Sequence, residues 1–194
     1  MPLLTFTWVD VFAAGPYTGN QLAVFRARAE LANEQMRRIT REMNHSETTF
    51  LQPPSVPGAD FRVRIFIPTL PLAEEIPFAG HPVLGTACVA APAGGRVRLE
   101  TGVGVIPVDV QRLEEGRWTA RMRQPVPRVA ETLTGPVRGA LAAALAAPLD
   151  PDLPVEAVDN GMQTVIIPLE SLAAVRAAQP DLARLRDLLG RAGL

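Results

Sequence analysis

Two short stretches of this sequence could do chemistry. "SETTF", residues 46–50, places Ser46 and Glu47 at the start of an otherwise apolar and hydroxyl-bearing strand pattern. A carboxyl group partly withdrawn from water has its pKa raised toward the working pH, where it can both accept and donate a proton. A solvated glutamate at a strand edge fits the same residues. "IPFAGHPVLG", residues 76–85, puts Gly80, His81 and Pro82 at the mouth of a helix. Proline suits a first helical turn, where its missing N–H would have had no partner. Glycine lets a ligand come close to the backbone. Free N–H groups and the helix dipole then make a site for a carboxylate, and the same dipole favours the neutral form of His81. A plain helix start with a half-buried histidine fits equally, and residue types alone leave both readings open.

The remaining composition narrows the chemistry. All nineteen basic side chains of the 194 residues are arginine, so these residues offer no amine for Schiff-base or pyridoxal-phosphate chemistry and no Walker A lysine. His45, His81 and Cys88 are too few and too scattered for a zinc site, and no metal is expected. A net charge of −1 and a 47% hydrophobic fraction argue against disorder and against a nucleic-acid partner. No apolar run reaches the length of a bilayer span. The start, "MPLLTFTWVD", lacks a basic leader region, so a cytoplasmic protein is expected. "GVGV" at 102–105 lacks the third glycine of a dinucleotide loop and has strand patterns on both sides, which predicts a hairpin turn. Asp10 reads as a structural turn carboxylate and Cys88 as inert core. Arg62 and Arg64 share a strand face that could steer an anion but reads more simply as solvated.

The elements that must position these residues are strands and helices in mixed order. Alternation and β-branched or aromatic content predict strands at 4–12, 21–25, 46–52 and 60–68, and further hairpin strands between 96 and 125. Met36, Ile39 and Met43 mark one face of a helix, with Asn33 as its N-cap and Asn44 as its exit. A short apolar helix is predicted from Pro82 to about Ala91. From Pro125 the texture changes to a Pro-flanked, Ala-rich helix with linkers on either side, then a strand pair and a helix from about Asp181. This pattern predicts an α+β fold with a boundary near 127: residues 1–127 as a first lobe holding the candidate site, 128–194 as a linker helix and the start of a second lobe. The order strand, turn, strand, helix occurs at "VDVF…GNQLAVF…NEQMRRITREMN" and again at "VDNG…QTVIIPL…DLARLRDLLGRAG", although few residues match.

"VDVFAAGPYTGNQLAVF", "EMNHSETTFL" and "RIFIPTLPLAEEIPFAGHPVLGTA", in this order, resemble the phenazine-biosynthesis (PhzF-like) isomerase family. The resemblance implies a diaminopimelate-epimerase-like fold of two similar α+β lobes: here one complete lobe, its mixed sheet around a central helix, and an incomplete second lobe. It implies cofactor-free isomerisation of a small carboxylic acid by proton transfer, with Glu47 as the acid–base and Ser46, Gly80 and His81 as substrate contacts. In the phenazine pathway the substrate is a dihydro-hydroxyanthranilate. Related racemases carry a catalytic cysteine where this chain has Ala79, so a two-thiol mechanism is not expected. A homodimer is expected. The alternative is a catalytically incomplete remnant or interaction module that binds a small acid or a partner chain.

Overall fold

The computed structural model describes residues 4–69, 73–114, 116–124 and 126–193. They form two compact units, Met1–Gln124 and Pro125–Leu194. The first unit runs β1 (Thr5–Val11), β2 (Asn20–Arg26), α1 (Asn33–Met43), β3 (Glu47–Gln52), β4 (Phe61–Ile67), β5 (Glu74–Ile76), α2 (Gly80–Ala90), β6 (Gly95–Thr101), β7 (Gly104–Glu114) and β8 (Arg117–Met122). Its sheet has the order β1-β2-β3-β4-β6-β7-β8, with β5 paired to β4. Two pairs, β2–β3 and β4–β6, are parallel and the rest antiparallel. Parallel neighbours need a crossover. Here α1 lies in the first crossover and α2 in the second, on opposite faces of the sheet.

Burial follows from that arrangement. Ala23, Phe25, Phe50 and Phe66 pack with Met36 of α1 on one face, with Ile39 and Met43 at its margin. Leu51, Val63, Ile65, Leu99, Ile106 and Val108 pack with Val83 and Ala87 on the other. The central strands therefore lose the polar–apolar alternation of a half-exposed sheet. α2 is apolar all round, as a helix enclosed on every side must be. It packs against β1, β2, β3, β4, β6, β7 and β8, so the sheet curls around it. Gly85 permits this closeness: a Cβ there would lie 2.8 Å from Leu22 Cδ2 and from Val11 Cγ2.

Three expectations for this unit change. The α1 N-cap is Ala32, with no side-chain cap; Asn33 is the first helical residue, and its Oδ1 accepts a 2.8 Å hydrogen bond from Arg64. Arg64 is neither solvated nor free to steer an anion. It is buried because α1 covers its face, and its Nε donates to Glu75 Oε1 at 2.7 Å. Arg62 sits 3.7 Å from Glu100. The apolar helix also starts at Gly80, two residues before the predicted position. The "GVGV" hairpin forms, with Thr101 opposite Gly104. Gly102 has a second duty there. Its N–H donates to the Pro77 carbonyl at 2.9 Å, and a Cβ on it would lie 2.7 Å from Pro77 Cα. The turn thus rests directly on the segment that enters α2.

The second unit comprises β9 (Arg128–Leu133), α3 (Pro136–Leu145), β10 (Val155–Asp159), β11 (Gln163–Ile166), α4 (Leu172–Ala177) and α5 (Leu182–Arg191). Residues 128–133, expected as linker, pair with β10 to give the three-stranded order β11-β10-β9. Leu133, Leu141 and Val155 form its core, flanked by Leu185, Leu188 and Leu189 of α5. Asp181 caps α5 by accepting from the Arg184 N–H at 3.0 Å. The antiparallel pair β10–β11 followed by helix reproduces, within this unit, the order of β1–β2 and α1.

Candidate active site

Strand parity sets which side chains face α2. Leu22 stands opposite Glu47 in the parallel β2–β3 register, so Asn20, Leu22 and Val24 share a face with Glu47, Thr49 and Leu51. Leu51 enters the core against α2, and the Thr49 hydroxyl meets that of Thr86 at 2.8 Å. That threonine pair satisfies two buried polar groups and ties β3 to the middle of the helix. Asn20 and Glu47, each at the first position of its strand, come to the same end of α2, where Gly80 and His81 open the helix.

Here the structure brings Glu47 and His81 together. Nε2 of His81 lies 3.3 Å from Oε2 of Glu47, with side-chain exposures of 9% and 17%. Neither of the two facing atoms has an aligned hydrogen-bond partner. Buried polar atoms are normally paired, and catalytic contacts are often misaligned until substrate is bound. The other ring nitrogen, Nδ1, is 3.3 Å from Asn20 Nδ2. Asn20 Oδ1 accepts from the Ser46 hydroxyl at 3.0 Å. Burial pushes the His81 pKa below its ordinary value, more than Glu47 and the Gln21 backbone raise it, so the ring is neutral at neutral pH.

Gly80 opens the helix after an extended Ala79 that offers no side-chain cap. The first N–H groups of a helix have no partner within it, and Pro82 contributes none, so the donors of this turn come from Gly80 and His81. A Cβ on Gly80 would meet only Gln124 and Met122, each at an ordinary 3.8 Å. A Cβ there is tolerated, and any larger side chain would run into the ends of those two side chains. His45 packs its ring edge-on against Trp8, with centroids 4.3 Å apart. Asp10 accepts from the Tyr17 N–H at 3.0 Å, as a turn carboxylate. Cys88 lies within α2, where burial pushes its thiol pKa up.

Ser46, Glu47, Gly80 and His81 were all singled out from sequence; Asn20, which links two of them, was not. Its signal was present. It is a polar residue at the core-facing parity of "NQLAV", directly before the buried run. Among the described residues no group of three or more His, Cys, Asp or Glu side chains gathers as a metal site, and no helix is long and apolar enough to cross a membrane.

Comparison with known proteins gives a consistent result. The family model for phenazine biosynthesis-like proteins (PhzC-PhzF) matches residues 9–193. The chain is 40% identical to a trans-2,3-dihydro-3-hydroxyanthranilate isomerase of Pseudomonas aeruginosa over 181 residues, 92% of this chain and 62% of the relative. It is 30% identical to the uncharacterized isomerase YddE of Escherichia coli K12 over 192 residues, 95% of this chain and 62% of the relative. The chain thus spans about three fifths of the length of these curated relatives. Among solved structures, a predicted epimerase from P. aeruginosa superposes with a TM-score of 0.83 at 30% identity, covering 95% of this chain and 66% of the other. A PhzF-family protein from Bacillus anthracis superposes with a TM-score of 0.76 at 26% identity, covering 97% and 62%. The fold is the diaminopimelate-epimerase-like fold of these neighbours.

Proposed function

Because the chain belongs to the phenazine biosynthesis-like family, we propose that it carries the acid–base part of a cofactor-independent isomerase site acting on a small carboxylic acid. Glu47 takes a proton from one carbon of the substrate and returns it to another, so the reaction shifts a double bond with no net change in oxidation state. The N–H groups of Gly80 and His81 hold the substrate carboxylate at the start of α2, and Ser46 lies beside Glu47 as a further polar contact. The observation that carries this reading is the Glu47–His81 contact at 3.3 Å, in which two buried polar atoms face each other without completing a hydrogen bond.

The curated relative names the probe, trans-2,3-dihydro-3-hydroxyanthranilate. In heavy water the product should carry solvent deuterium, and Glu47→Gln should lower turnover by about 10²–10⁴-fold, the usual contribution of a positioned acid–base group. Near-normal turnover in that variant would rule Glu47 out. Binding of the acid without turnover by the 194-residue chain supports the alternative, a binding module built on the same residues.

A further inference from the structure

Asn20 has two partners on opposite sides of its amide, and an amide has only one oxygen. The Ser46 hydroxyl donates to Oδ1 at 3.0 Å, which leaves the NH2 group toward His81 Nδ1 at 3.3 Å. A nitrogen that receives an N–H must present its lone pair. A neutral imidazole carries one N–H, on one ring nitrogen or the other, and the partner of one decides the state of both. The remaining nitrogen, Nε2, is the one 3.3 Å from Glu47.

We propose that Asn20 is a positioning residue: it fixes His81 as the tautomer protonated on Nε2, so that the ring presents a donor to the Glu47 carboxyl group. Burial of the ring keeps it neutral, so the choice between tautomers is a real one. The reverse chain would run His81 Nδ1–H to Asn20 Oδ1, with the amide NH2 given to Ser46. With Glu47 ionised, it would set the Nε2 lone pair against a carboxylate oxygen, two acceptors facing each other in a buried place. With Glu47 ionised the three contacts share one direction, from Ser46 through Asn20 and His81 to Glu47, and the Gln21 backbone carbonyl, which also faces the ring, is the acceptor against which this tautomer competes. The catalytic meaning of the tautomer rests on the proposed function; the tautomer itself does not.

The test uses the 194-residue chain labelled with 15N-histidine, whose two histidines give two sets of ring signals that His81→Gln tells apart. Multiple-bond proton–nitrogen spectra near pH 7.5, without substrate, should show His81 protonated on Nε2 and bare on Nδ1. Asn20→Asp replaces the donor with an acceptor and should move the proton to Nδ1. Asn20→Ala removes the donor and should give a mixture of tautomers, and it serves if the aspartate variant does not fold. A proton on Nδ1 in the unmodified chain, or an Nε2–H form unchanged in the folded Asn20 variant, overturns the proposal. A merely structural role for Asn20 would not move a proton between ring nitrogens. Because no substrate is present, these spectra stand whatever the turnover assay gives.

Discussion

Replacing Gly85 by alanine should weaken the fold although alanine is the better helix former. In a helix interior the exchange alone gains about 1 kcal/mol. Against it stands the packing of α2 on the sheet. The added Cβ would lie 2.8 Å from Leu22 Cδ2 and Val11 Cγ2, and 3.1 Å from Val9 Cγ2. Carbon atoms rest about 3.5–4.0 Å apart, and Leu22 is fully buried. Overpacking of this kind costs about 1–3 kcal/mol. Gly139→Ala is the matched control, since Gly139 lies in α3, is exposed, and has nothing within 4 Å of its added Cβ. It should gain about 0.5–1 kcal/mol, so the two variants should differ by about 1–3 kcal/mol. Trp8 and Trp118 both lie in the first unit, so tryptophan fluorescence during urea unfolding follows Gly85→Ala, while far-ultraviolet circular dichroism follows the helices of the second. Equal stabilisation by the two alanines would refute the close approach of α2. The functional counterpart is a longer Glu47–His81 contact in Gly85→Ala, because the helix that carries His81 is pushed off the sheet.

Gly80→Val should cost affinity for a small carboxylate more than it costs stability, because its Cβ would meet only the side-chain ends of Gln124 and Met122, at an ordinary 3.8 Å, while its bulk stands beside the free N–H groups of the helix start; isothermal titration showing equal affinity would favour a plain helix start. The pKa of His81 is lowered in the folded chain, so as pH falls below the unfolded value of about 6.5 the unfolded chain takes up a proton that the folded one resists, and stability is lost. Urea midpoints between pH 7.5 and 5 should therefore fall more steeply for the unmodified chain than for His81→Gln, and parallel curves would contradict the buried neutral ring. We also propose that the chain self-associates through its second unit: light scattering should give a dimer for residues 1–194 and a monomer for a chain ending at residue 127, and a monomeric long form would overturn this.

Much of the site was legible because strand parity and turn chemistry are local. Glu47 heads a strand whose even partners, Thr48 and Phe50, face one helix, while Thr49 and Leu51 face another. The apolar helix and its Gly-His-Pro opening are visible in ten consecutive residues. What escaped was set by partners distant in sequence. Arg64 alternates with apolar residues as a solvated arginine would; only the cover of α1 and the contacts to Glu75 and Asn33 bury it. Asn33 carries the usual side chain of an N-cap, yet Arg64 draws its oxygen away and the helix starts one residue early. Residues 128–133 lie between Pro127 and Gly135 and look like linker, because an exposed edge strand needs little apolar signal once β10 supplies the pairing. The pairing of Glu47 with His81 came from family resemblance rather than from any local pattern.

The parallel crossover from β2 through α1 to β3 has a temporal consequence. Asn20, Ser46 and Glu47 all belong to that one crossover, whereas His81 follows Glu47 by thirty-four residues. During synthesis at about 5–20 residues per second, the carboxyl group leaves the ribosome about 2–7 s before the ring that will face it. α2 emerges last of these elements and is the one that fills the curled sheet. Until it docks, the face of β3 that bears Glu47, Thr49 and Leu51 stands in water. A nascent chain can thus lay down the Ser46–Asn20 link early, while Glu47 is a solvated carboxylate with no ring opposite it.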